Sequence, residues 1–93
     1  MKDYLTLEDF VGVSTVTSIT EKLVERFKLR RKEKKLSVAK LSEISRVSYG
    51  SIRRFERSGD ISLHSLMKLS DALGLLEEFN NIFKWKIVTK LGE

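Results

Sequence analysis

Four serines set the frame of this chain. Ser18, Ser37, Ser48 and Ser62 each precede a stretch whose apolar residues recur at helical spacing. A serine in that position accepts a hydrogen bond from a backbone N–H two or three residues on. It thereby satisfies one of the donors that a helix N-terminus leaves free. Proline, which would break such segments, is absent from all 93 residues. The pattern predicts an all-α fold of short helices joined by tight turns.

The first helix is expected to open at Ser18, where Ser18 and Glu21 stand in capping-box spacing, and to run to about Lys34. Ile19, Leu23 and Phe27 would form its buried face. Ser37 opens a short second helix through Ala39, Leu41 and Ile44, and residues 45–47 make a break. Ser48 opens a third helix that buries Ile52 and Phe55 and ends in the turn chemistry of Ser58, Gly59 and Asp60. Ser62 opens a fourth, with Leu63, Leu66, Leu69 and Leu73 inward and Gly74 closing it. Leu75, Leu76, Phe79, Ile82 and Phe83 mark a fifth.

Residues 1–17 read as an N-terminal arm without sustained periodicity, in which Thr6 caps a short helix that Gly12 ends. Residues 18–84 form the folded domain, and 85–93 form a C-terminal tail whose β-branched, loosely alternating sequence suits a strand or a continued helix. There is no cysteine, hence no disulfide and no thiolate metal site. Apolar runs are too short to span a bilayer, and no apolar leader is visible, so the cytoplasm is the expected location.

Charge is distributed unevenly. The formal net charge is +5. Between Lys22 and Arg57 stand 13 Lys or Arg against four acids, while the rest of the chain is net acidic. A concentrated positive field suits a polyanionic partner, although cations in the last turns of the first helix also suit its dipole. Catalysis finds no support, because the chain has no glycine-rich phosphate loop, metal-ligand cluster or paired carboxylates. His64 has no second His or Cys to share a metal, and the serines serve as caps rather than nucleophiles. No cofactor is expected. Stacking aromatics for single-stranded RNA are sparse in the basic window, Tyr49 being the main one.

Two short helices separated by about three residues, the second of them basic, describe a helix-turn-helix unit over about residues 37–57. The run from Leu36 to Arg57 resembles the lambda-repressor-like, or Xre-type, helix-turn-helix pattern. The likeness continues through Ser62 to Gly74 and covers about residues 19–83. It implies a compact five-helix domain whose third helix enters the DNA major groove. The sequence departs from the pattern at Val38, where Gln is common, at Ser42, where Ala is frequent, and at Arg46, where Gly is usual. A left-handed backbone at Arg46 would cost about 1–2 kcal/mol.

By position in that motif, Tyr49, Gly50 and Arg54 would face the groove floor, with Ser51 and Arg53 beside them. Arg54 is the expected base reader, through two hydrogen bonds to a guanine edge. Arg53 and Arg54 are otherwise solvated residues, with Glu56 pairing one of them. Ser37, Lys40, Arg46, Ser48 and Arg57 are the expected phosphate contacts. The resemblance thus points to a transcriptional regulator, most simply a repressor, that binds a palindromic double-stranded operator as a homodimer. Its dimer surface is expected at Phe79, Ile82, Phe83, Trp85 and Ile87, with Val88 adjoining. Some Xre-type proteins are antitoxins that clamp a partner toxin and repress their own operon. The chain is similar to HipB-like antitoxins in that loose sense, and a protein toxin is the alternative partner.

Overall fold

A computed structural model describes residues 14–84. Helix α1 spans Val16–Glu33, and its cap is Thr15 rather than Ser18. The Thr15 hydroxyl accepts from the Ser18 N–H at 3.0 Å, and Ser18 Oγ accepts from the Thr15 N–H at 3.0 Å. Ser18 is therefore the third helical residue, the second half of the box instead of its first. The sequence offers both Thr15–Ser18 and Ser18–Glu21 at the same spacing, and the upstream pair starts the helix. The arm's expected helix at Thr6, together with Trp85, Ile87 and Val88 of the tail, lies outside the described residues.

Helix α2 spans Val38–Ser45, α3 spans Tyr49–Ser58 and α4 spans Leu63–Ala72. Ser37, Ser48 and Ser62 cap them as expected, each accepting the N–H of the residue three positions on at 3.0–3.1 Å. The fifth element, Leu76–Asn81, is a 3-10 helix without a side-chain cap. No strand occurs among the described residues, so the all-α expectation holds.

The core is small and central. Leu41, Ile52 and Leu69 are fully buried, one from each of α2, α3 and α4, and Phe55 nearly so. Val24 and Phe27 join α1 to this cluster, and Phe27 meets Phe55 edge to face with ring centroids 5.0 Å apart. The buried face of α1 is thus rotated from the one read in the sequence. Ile19 is 47% exposed and Leu23 39%, whereas Val24 is buried. Both apolar ladders contain Phe27, and only packing against α3 selects between them. Leu63 likewise lies outward, and on α2 Ala39 and Ile44 are exposed while Val38, Leu41 and the small Ser45 pack inward. A polar residue is accommodated there because its hydroxyl is hydrogen-bonded within the next turn.

Candidate nucleic-acid interface

The turn between α2 and α3 aims the second helix, and its geometry is built by local hydrogen bonds. Arg46 ends α2 in the left-handed conformation, φ 66° and ψ 24°, as its place in the motif implied. Val47 then inserts into the core. Its N–H donates to Ser45 Oγ at 3.1 Å, and its carbonyl accepts from Ser42 Oγ at 2.7 Å. A buried peptide group without partners would cost about 1–3 kcal/mol. Two serines of α2 therefore partner the Val47 carbonyl and N–H at the turn. Ser42, at a position where the motif frequently has alanine, supplies the donor to the Val47 carbonyl.

Beyond the turn, α3 divides into two faces at the 3.6-residue period. Ile52 and Phe55 point into the core, and Glu56 beside them faces α1. Arg31 of α1 grips Glu56 with two hydrogen bonds, Nε at 2.8 Å and Nη2 at 3.1 Å, and donates Nη1 to the Leu36 carbonyl at 2.8 Å. Both side chains are about nine-tenths buried. Glu56 thus pairs with neither Arg53 nor Arg54, because both of its carboxylate oxygens are taken by Arg31, and Arg54 lies on the far side of the helix. Composition does not distinguish Arg31 from the rest of its basic run. Its one signal is its spacing from Val24 and Phe27, which puts it on the inward ladder.

The outer face of α3 carries Tyr49, Gly50, Arg53, Arg54 and Arg57, all exposed, with Ser51 half-buried beside Ser48. Arg53 Nη1 donates to the Tyr49 hydroxyl at 3.1 Å, and its guanidinium lies 5.8 Å from the centre of the Tyr49 ring. Ser48 Oγ donates to Ser51 Oγ at 2.8 Å. The space where a side chain at Gly50 would stand is open. Arg54 lies 3.5 Å from the carboxylate of Asp60, in the loop after α3.

Around this face lie the remaining candidates. Ser37 and Lys40 stand exposed at the start of α2, with Lys40 3.5 Å from Glu43. The Arg46 side chain is exposed in the turn, and its carbonyl accepts from Lys68 Nζ at 3.4 Å. The sequence does not point to Lys68, on α4, since nothing local ties it to a turn 22 residues earlier. His64 is exposed on α4.

Of the expected dimer residues, Phe79 is half-buried, Ile82 is 51% exposed and Phe83 is 98% exposed. Phe79 and Ile82 border a groove of about 610 Å³ between α1, α4 and the 3-10 helix, which Leu23, Leu63 and Leu66 also line. Among the described residues no helix is long and apolar enough to cross a membrane.

Two helices joined through a left-handed turn, the second apolar within and cationic without, define a helix-turn-helix DNA-binding domain. A family model described as helix-turn-helix matches residues 27–79, more than half of the chain. The protein belongs to the Xre-like helix-turn-helix family, whose members act in DNA-binding transcription regulation. Neither the curated proteins nor the solved structures contain a significant match.

Proposed function

We propose that this protein is a sequence-specific repressor that binds a palindromic operator as a homodimer, with α3 in the major groove. The observation that carries this reading is the division of α3. Arg31 and Glu56 lock its inner side to α1, so the face bearing Tyr49, Gly50, Ser51, Arg53 and Arg54 is presented as one rigid surface. In this reading Arg54 hydrogen-bonds a guanine edge, a contact worth about 1–3 kcal/mol of discrimination. Tyr49, tethered to Arg53, offers its ring to a thymine methyl group. Ser37, Lys40, Arg46, Ser48 and Arg57 hold phosphates on either side.

One monomer presents one reading helix, whereas two presented about 34 Å apart read a palindrome. The apolar groove bordered by Phe79 and Ile82, with Phe83 standing free, supports the placing of the dimer contact at this end of the domain, with Trp85 and Ile87 of the tail. The same groove is what favours the second reading, an antitoxin that engages a partner toxin there while α3 remains on its operator.

Selection of bound sequences from a random duplex library tests the first reading. The wild type is expected to enrich a palindrome with half-sites about ten base pairs apart. Arg54→Ala should relax one position in each half. Weak binding that enriches nothing and vanishes with salt would overturn sequence-specific recognition.

A further inference from the structure

The three arginines on the outer face of α3 are held differently. Arg53 is bonded to a neutral phenol, which leaves its charge intact. Arg57 has no acidic partner among the described residues. Arg54 alone faces a carboxylate, through Nη1 to Asp60 Oδ2 at 3.5 Å.

The loop that carries Asp60 is shaped to make this contact. Gly59 takes the left-handed conformation, φ +82°, and turns the chain back at the end of α3. The Asp60 N–H donates to Ser58 Oγ at 3.3 Å, and that same hydroxyl donates to the Arg54 carbonyl at 2.9 Å. Ser58 therefore ties the backbone of Asp60 to that of Arg54. Substitution of Gly59 would disturb the arrangement, because its left-handed backbone disfavours a side chain and an added Cβ would press on Thr20 Cγ2.

From this geometry we infer that Asp60 is a specificity-determining positioning residue that keeps Arg54 from serving as a general phosphate anchor. The inference rests on the reading of α3 as the base-contacting helix. The contact uses one prong of the guanidinium. An arginine has five N–H donors, so the other prong remains able to address guanine O6 and N7. The carboxylate meanwhile offsets part of the charge that a phosphate would attract. Arg54 is thus a hydrogen-bonding reader that contributes little to binding of arbitrary sequence. The pair is exposed, so its worth lies in redirecting Arg54 and not in fold stability.

Affinity for a duplex of random sequence, measured by fluorescence anisotropy over a salt series, tests this and needs no operator sequence. Each phosphate engaged adds about 0.9 to the slope of log affinity against log salt. Asp60→Asn removes the charge at constant size and should steepen that slope by about one phosphate equivalent. Asp60→Asn introduced into an Arg54→Ala background should not steepen the slope beyond that of Arg54→Ala alone. In library selection, Asp60→Asn should enrich the wild-type consensus several-fold less strongly. An unchanged slope in Asp60→Asn would overturn the proposal. So would equal steepening with Arg54 absent, which would make Asp60 only a repulsive charge near the DNA. A wild type that binds no duplex at low salt would instead remove the reading of α3 itself. Melting curves confirm that each variant is folded.

Discussion

Arg46 carries two opposed demands. Its backbone occupies the left-handed region, where an ordinary residue is disfavoured by about 1–2 kcal/mol relative to glycine. Its side chain stands exposed in the turn that leads into α3, as a proposed phosphate contact. Arg46→Gly should therefore separate stability from binding. Relief of the backbone, partly offset by the greater freedom of glycine in the unfolded chain, should leave a gain of about 0.5–1 kcal/mol. For a chain of this size that is a rise of several degrees in Tm, readable by thermal melting. The salt slope for duplex binding should fall by about 0.9, the loss of one phosphate. A lower Tm would mean that the side chain has a structural role the turn geometry does not reveal. Gly59 is the contrasting case, since a side chain there would be strained by the left-handed backbone and would also press on Thr20.

At the level of elements, α1 and α3 are joined by an apolar contact and an ionic one. The edge-to-face pair Phe27–Phe55 fixes the approach of the two rings but makes no hydrogen bond. The Arg31–Glu56 fork makes two. Because both charges are buried, removing one strands the other. Glu56→Leu should destabilise the domain by about 3–5 kcal/mol. The double variant Arg31→Met/Glu56→Leu should recover most of that, short of the bond to the Leu36 carbonyl. Urea denaturation of the two single variants and the double variant measures this. DNA binding by the folded double variant then asks how far the fork, beyond stability, fixes the angle of α3. The serines of α2 show the same division at smaller scale, Ser37 starting the helix and Ser42 and Ser45 securing the turn at its other end.

Taken as a whole, the chain concentrates its cations between Lys22 and Arg57, three of them on the outer face of α3, and leaves an apolar end at the 3-10 helix. If that end joins two copies, a charge placed there should break the dimer without unfolding the domain. Ile82 is half-exposed and Phe83 almost wholly so, and neither belongs to the buried core. Ile82→Asp/Phe83→Asp should sediment as a monomer where the wild type is a dimer. It should also lose most of its affinity for a palindrome while keeping its affinity for a half-site. A monomeric wild type with full palindrome binding would move the dimer contact elsewhere.

Much of this is legible one residue at a time. Three of the four serine caps arise from interactions within a few residues, the inward periodicity of Leu41, Ile52 and Phe55 is read from spacing, and the turn at Arg46 and the reading face follow from the resemblance to the motif. A cap, a turn and a 3.6-residue period are local events, and local sequence determines them. Three things were decided only by the fold. Packing against α3 chose between the two apolar ladders of α1 that share Phe27. It also took Arg31 out of the basic run and gave it to Glu56, 25 residues away. The loop after α3 brought Asp60 back onto Arg54. In each case the partner is distant in the chain or lies across a turn, and the choice depends on which surfaces the assembled core leaves facing one another.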